Sequence, residues 1–318
     1  MTKAIAFPHY GDADVLRPVD VELPAPGPGQ VLVAVRAVGV NPLDHKVRSG
    51  ALDGFFPVTF PAVPGYELSG VVEAVGDGVH GFEPGDEVFG AVMGGAYAEH
   101  ALVAAEQLAL KPAALSWEQA AAIPVAAETA ARALDALDVR AGQTLLVHGA
   151  AGGVGTLLLQ FARARGITVI GTASEANHDH LRELGAIPVT YGEGLADRVR
   201  AAAPAGVDRV LDAAGQGGVL PLSVDLTGGA DRVLTIADMA GAQEHGVRFS
   251  GGADGGELYH ASGYAAALAL HEAGTLRLPL HGVFPLAEAA EAQRASEHGH
   301  LRGKIVLTVR PAAPARRG

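Results

Sequence analysis

The sequence predicts an α/β protein in two parts, a small β-barrel and a doubly wound parallel sheet. Two textures and one motif carry that expectation. The amino-terminal third is rich in Val, Gly and Pro, with short apolar runs broken by turn signals, which is a β pattern. Further along, strand-like and helix-like segments alternate, as a parallel sheet with crossover helices requires. Between them lies a glycine-rich turn that joins a strand to a helix. With 318 residues the chain has room for two domains, at about 100–200 residues each.

In chain order, strands are expected at Ala4–Phe7, Val31–Val38, Leu68–Val75, Glu87–Ala91 and Tyr97–Val103. The breakers between them are Pro24–Gly29, Gly76-Asp77-Gly78 and Glu83-Pro84-Gly85-Asp86. Ser116 followed three residues later by Gln119 reads as a helix start with a capping box, and a second helix is expected over Ala126–Leu137. The alternating region then offers strands at Thr144–His148, Ile167–Gly171, Val207–Asp212 and Arg232–Ile236. Helices are expected at Gly153–Arg165 and Glu175–Leu184. Helices Ala261–Ala273 and Leu286–Glu297 and a closing strand Lys304–Val309 follow, with a frayed tail at Pro311–Gly318. The expected domains are 1–122, 123–256 and a return to the first domain over 257–318.

Composition narrows the chemistry. Zero cysteines exclude disulfides, thiolate metal sites and cysteine nucleophiles. A net charge of −12, from 23 Lys+Arg against 35 Asp+Glu, argues against nucleic-acid or anionic-membrane partners. Pro8, Gly11 and Asp12 interrupt the amino terminus where a signal peptide needs an apolar core. No apolar run approaches about 18 residues. A soluble cytoplasmic protein is expected.

The sharpest local signal runs from Thr144 through Gly149, Ala150, Ala151, Gly152, Gly153, Val154 and Gly155 into Thr156-Leu157-Leu158-Leu159. A strand delivers the chain to a tight turn, and the helix that starts there faces it with unpaired N–H groups and a positive dipole end. That is a seat for a pyrophosphate. In the G-x-G-x-x-G frame the first glycine is Ala150, followed by Gly152 and Gly155. The next strand ends Thr172-Ala173-Ser174, with no acid at its very end to bind a ribose 2′-hydroxyl. Thr172, Ser174, Asn177 and His178 can instead donate to a 2′-phosphate, which favours NADPH, while Glu175 lies one residue further on. Tyr191 follows the next strand and is expected over the adenosine ribose. Asp212–Gly215 and Ile236–Met239, among them Ala213, Ile236 and Ala237, stand at carboxyl ends of strands and are expected to line the crevice.

Other chemistries fail on spacing. None of the six tyrosines has lysine four residues on, as a short-chain dehydrogenase needs, and no Gly-x-Ser-x-Gly pentapeptide marks a serine hydrolase. His178/His180 and His298/His300 are i,i+2 pairs that do not share a helix face. No metal site is expected.

Pro64-Gly65-Tyr66-Glu67 through Val79, Phe82-Glu83-Pro84-Gly85-Asp86-Glu87-Val88, Asn41-Pro42-Leu43-Asp44, the Gly149–Gly155 turn and Gly303–Leu307 together resemble the medium-chain dehydrogenases/reductases, over nearly the whole chain. The resemblance implies a GroES-like barrel as catalytic domain and a Rossmann domain for the cofactor. The zinc alcohol dehydrogenases of that family carry a cysteine near the place of Asn41 and a histidine at the place of Tyr66. Both are replaced here, and the four-cysteine loop is missing. The zinc-free quinone oxidoreductase branch remains, and it implies hydride transfer from NADPH to a quinone or to an enone or alkenal.

By that resemblance Asn41 sits beside the nicotinamide, Asp44 and Tyr66 lie close to the pocket, and Thr129 meets the carboxamide. Glu128 stands where the family has leucine. The loops Arg48–Pro61 and Asp254–Tyr264 are expected to shape the acceptor pocket, and a homodimer is implied through the region Val233–Phe249. A non-catalytic NADPH-binding sensor or scaffold is the alternative. With no histidine–carboxylate pair near Asn41, turnover is expected to vary little between about pH 6 and 8.

Overall fold

The computed structural model describes residues 1–215, 218–251 and 260–309. The expected frayed tail, and residues 254–259 of the expected pocket loop, lie outside them. The chain forms two compact units, Met1–Val125 with Pro279–Gly318, and Ala126–Leu278. The divisions therefore fall at 125/126 and 278/279, where the sequence suggested 122/123 and 256/257. The later return has a packing cause: Gly263, on the helix His260–Glu272, lies so close to Ala127 that a Cβ there would stand 2.6 Å from its carbonyl oxygen. That helix belongs with the second unit.

The first unit contains β1 (Thr2–Ala6), β2 (Arg17–Val21), β3 (Gln30–Val40), β4 (Glu67–Val75), β5 (Glu87–Ala91), β6 (His100–Ala104) and β7 (Leu108–Leu110). Its short helices are α1 (Pro42–Arg48) and α2 (Trp117–Ala121), and α3 (Pro124–Leu137) leads into the second unit. The eleven-residue β3 is the spine. It pairs antiparallel with β4 and β6, and Val31, Val33 and Val35 turn inward at period two. With Phe7, Leu68, Val72, Val88 and Tyr97 they make the barrel core. The capping box expected at Ser116 and Gln119 is formed, with Ser116 Oγ accepting from the Gln119 N–H at 3.1 Å.

The second unit contains β8 (Thr144–His148), α4 (Gly153–Ala164), β9 (Thr168–Ala173), α5 (His178–Glu183), β10 (Ile187–Thr190), α6 (Leu195–Ala202), β11 (Arg209–Asp212), α7 (Val219–Thr227), β12 (Val233–Thr235), α8 (Met239–His245), β13 (Arg248–Phe249) and α9 (His260–Glu272). The six strands are all parallel, in the order β10-β9-β8-β11-β12-β13. That is the doubly wound order 3-2-1-4-5-6, and it reverses between β8 and β11, the place at whose carboxyl ends open sheets of this kind generally bind ligands. Strand β9 ends at Ala173, two residues later than expected.

The chain then returns to the first unit with β14 (Leu280–Pro285), α10 (Ala289–His298) and β15 (Lys304–Thr308). Strand β15 pairs with β3 antiparallel, Ile305 opposite Val40, so β3 has β15 on one side and β4 on the other. No helix among the described residues is long and apolar enough to cross a membrane.

Candidate active site

In the second unit the glycine turn has the geometry of an anion seat. Gly149 adopts φ +75°, so it makes the sharp turn expected of the first glycine, and Ala150 is left fully buried beside it. Helix α4 begins after Gly152, with no side chain capping its amino end. The two later glycines do different work. A Cβ on Gly155 would stand 2.6 Å from the carbonyl oxygens of Gly149 and Ala150, so Gly155 lets the helix pack against the turn. A Cβ on Gly152 would meet only the Gly149 oxygen, at 3.5 Å. The fold itself makes little demand on that space, and a pyrophosphate fits it. Gly152, Gly153 and Val154 are half-buried, whereas Ala151 and Gly155 are buried.

The neighbouring strand ends are held by polar side chains from below. Asp212 accepts from the N–H groups of Ala214 (3.0 Å) and Gly215 (3.2 Å) and from the Thr235 hydroxyl (2.8 Å). Thr235 Oγ1 in turn accepts from the N–H groups of Ala237 and Asp238, both at 3.1 Å. Ala213, Ile236 and Ala237 are thereby fixed, half-buried, at the carboxyl ends of β11 and β12.

Beyond β9 the outcome differs from the sequence expectation at one residue. Thr172 is only 3% exposed, and its hydroxyl accepts from the Gly149 N–H at 3.4 Å. Strand β9 is buried on both faces after its first residue, so Thr172 supports the turn from inside and does not project to a 2′-phosphate. Ser174, Asn177 and His178 remain half-buried at the strand end. The Asn177 amide donates to Ser174 Oγ at 3.2 Å, and His178 Nε2 lies 3.4 Å from Thr190 Oγ1. Tyr191 is 37% exposed just after β10. Arg198, which sequence reasoning passed over, brings a cation to the same end and donates to the carbonyls of Thr190, Tyr191 and Gly192. Its signal is four-residue spacing from Gly194 on a helix that the glycines obscured.

Thr129 lies on α3 and is 8% exposed. Its hydroxyl donates to Glu128 Oε2 at 3.1 Å, and Arg132 Nε donates to Glu128 Oε1 at 2.6 Å. Glu128 therefore orients the threonine, and Arg132, which also bonds Ser250, anchors the glutamate.

His148, the last residue of β8, is 1% exposed between Thr172 and Ser223, to whose Oγ its Nε2 lies at 3.0 Å. Burial pushes its imidazole down to about 4, against the opposing charge of Asp212. The folded pKa lies below the unfolded one, so the stability it reports is present above pH 6.5 and is lost as the pH falls through about 4. The loss amounts to about 3 kcal/mol. Replacing His148 by Gln should remove that much acid sensitivity, read as the difference between variant and wild type in urea melts at pH 7 and pH 4. Equal acid sensitivity of the two proteins would refute it.

In the first unit Asn41 and Tyr66 come together with Asp44, Glu67 and Lys304. Asn41 caps α1: the Asp44 carboxylate accepts from the Asn41 N–H at 2.7 Å and from the Gly65 N–H at 3.0 Å. Burial pushes the Asp44 carboxyl up to about 7, against the pull of those N–H groups and Lys304. Burial raises the Tyr66 phenol, Asp44 adding to it, so it stays protonated and able to donate. His45 is pushed by burial the other way, to about 4, and is neutral near pH 7. Glu67 is fully buried. Its Oε1 accepts from Asn41 Nδ2 at 2.8 Å and from Lys304 Nζ at 2.5 Å, and its Oε2 from the Val125 N–H at 2.8 Å. The sequence pointed to neither Glu67 nor Lys304 as a working residue. Among the described residues no three His, Asp or Glu side chains gather as a metal site.

Comparisons with known proteins agree with this architecture. Residues 27–113 match the alcohol dehydrogenase GroES-like domain, and residues 184–307 match the zinc-binding dehydrogenase family. The chain is 43% identical to a quinone oxidoreductase of Rattus norvegicus over 176 residues, 54% of this chain and 53% of that protein. It spans about half the length of the curated relatives it matches. Among solved structures, the quinone oxidoreductase of Coxiella burnetii is similar at 33% identity and TM-score 0.81, over 97% of this chain and 99% of that one. A mycobacterial protein solved with NADPH is similar at 30% identity and TM-score 0.83, over 97% and 100%. A likeness of that extent and identity is one of family as well as of fold. The chain belongs to the medium-chain dehydrogenases/reductases, in their quinone oxidoreductase-like branch.

Proposed function

We propose that this chain is an NADPH-dependent oxidoreductase that passes a hydride to a quinone or an activated alkene without zinc. The observation that carries the reading is the strand–turn–helix seat, in which the space beside Gly152 is left open while Gly155 is packed against backbone. The names of its relatives support the reaction class.

When bound, the reduced nicotinamide supplies the hydride. The chain's own groups bind and orient. The backbone of Ala151–Gly155 receives the pyrophosphate at the positive end of α4. Ser174, Asn177 and His178 hold the 2′-phosphate, with Tyr191 over the ribose. Ala213, Ile236 and Ala237 border the crevice, and Thr129, oriented by Glu128, meets the carboxamide. Asn41 and Tyr66 offer an amide N–H and a phenol to an acceptor oxygen, which gains negative charge as the hydride arrives. Zinc independence is supported by the lack of any cysteine and by Glu67, whose carboxylate is already held by an ammonium group.

Stopped-flow mixing of the protein and NADPH with 1,4-benzoquinone should oxidise the cofactor, unaffected by a chelator. NADH should bind about tenfold to a hundredfold more weakly, the worth of a hydrogen bond to a charged phosphate. Binding of NADPH with no turnover on any quinone or enone would establish the non-catalytic alternative instead.

A homodimer is also proposed. Strand β13 (Arg248–Phe249) ends the order of the parallel sheet, and an outermost strand can pair with that of a second copy. Sedimentation at micromolar concentration should show a dimer, and a monomer would refute it.

A further inference from the structure

Strand register places three polar residues of the first unit side by side. Ile305 pairs with Val40, so Lys304 falls opposite Asn41, and Val38 pairs with Leu68, so Glu67 falls opposite Gly39. A side chain at Gly39 would collide with the Glu67 carboxylate and would stand 2.6 Å from the Ala121 carbonyl oxygen, so the glycine makes the room. The ammonium of Lys304 donates to Asn41 Oδ1 at 2.5 Å, to Glu67 Oε1 at 2.5 Å and to the Val40 carbonyl at 3.3 Å. All three side chains are nearly inaccessible: Lys304 is 5% exposed, Asn41 6% and Glu67 0%.

Taking two opposite charges out of water costs several kcal/mol of solvation, and well-packed apolar residues of the same volume are often as stabilising. Barrel stability alone does not call for this pair. What the pair does decide is the direction of an amide. Asn41 Oδ1 faces an ammonium that only donates, and Nδ2 faces a carboxylate that accepts. A flipped amide would set NH₂ against NH₃⁺ and an oxygen against a carboxylate, losing two charge-assisted hydrogen bonds at once. One Nδ2–H remains uncommitted to the pair.

We infer that Lys304 and Glu67 are positioning residues of the reaction: together they lock the Asn41 amide so that its second Nδ2–H is held ready for the acceptor oxygen. The inference rests on the reading above that Asn41 stands beside the reacting atoms. It assigns no proton or hydride to Lys304 or Glu67.

Removing one charge alone strands the other in the core, so the test removes both. Lys304→Gln with Glu67→Gln keeps volume and hydrogen-bonding groups but lets every amide in the cluster turn over. Two measurements follow on that variant. In ¹⁵N-labelled protein without cofactor, the wild-type Asn41 Nδ2 proton bonded to Glu67 should exchange with solvent at least about a hundredfold more slowly than in a free asparagine, and this protection should be lost in the variant. In single turnovers of NADPH with 1,4-benzoquinone, the variant should transfer hydride about 10–100-fold more slowly, a loss of orientation, with the NADPH dissociation constant and KM for the quinone within about threefold of wild type.

A hydride step within about threefold of wild type in the double variant, beside a slowed Asn41→Ala, overturns the positioning role and leaves the proposed function standing. A freely exchanging Asn41 Nδ2 proton on the Glu67 side in the wild type also overturns it. An Asn41→Ala variant at wild-type speed removes the reading of Asn41 and this inference with it, and absence of NADPH oxidation in the wild type removes the proposed function as well.

Discussion

Replacing Gly152 by Val should abolish nucleotide binding while the protein stays folded. At Gly152 the backbone has φ −69° and ψ 174°, a conformation open to any residue, and a Cβ there meets only the Gly149 oxygen at 3.5 Å. Valine is a poor residue for a helix start, which costs about 1 kcal/mol. Its methyl groups, however, would fill the space that a phosphate needs to reach the N–H groups of α4, and affinity should fall more than about a hundredfold, close to 3 kcal/mol. Fluorescence titration with NADPH, alongside a thermal melt, checks both halves. Gly155→Val makes the contrast. There the new side chain runs into the carbonyls of Gly149 and Ala150, neither of which can yield without breaking the turn, so the melt rather than the titration should collapse. Tight NADPH binding by Gly152→Val would mean that the phosphates lie elsewhere.

The second large effect is expected at Lys304. Changing it alone to Met leaves Glu67 fully buried against neutral donors only, the Asn41 amide and the Val125 N–H. Breaking a buried pair in this way costs about 3–5 kcal/mol. Adding Glu67→Gln to Lys304→Met should restore most of that loss, because no unpaired charge is then buried. Urea unfolding of the single and double variants measures the two terms. A loss below about 1 kcal/mol in Lys304→Met would show that water or a backbone shift compensates Glu67.

How far the sequence could be read follows from the range of the interactions involved. The turn from β8 into α4 was legible because strand, glycines and helix are consecutive, and each glycine's demand is local. The capping box at Ser116 and Gln119 was legible for the same reason. The helices α6 and α7 are hidden in the sequence: Gly192 and Gly194 precede one, Gly218 and Gly228 bracket the other, and Pro221 falls within it. Thr172 ends a strand, and from the sequence that place points to the ligand. In a strand buried on both faces, position along the chain does not say which way a hydroxyl turns, and the free N–H of Gly149 claimed it.

The local steps of this protein were set by the sequence alone: the sheet and barrel textures, the glycine seat, and the want of any cysteine. Those are properties of neighbouring residues or of composition, and short-range sterics and periodicity suffice to express them. The directions of buried groups were decided only by the tertiary structure. Lys304 is 263 residues from Asn41 and 237 from Glu67. Nothing in chain spacing relates them. Their meeting depends on the pairing register of β15, β3 and β4, where a shift of one residue would turn each side chain to the opposite face. The neutral His148 and the high pKa of Asp44 likewise arise from burial, which exists only once distant strands have closed over them.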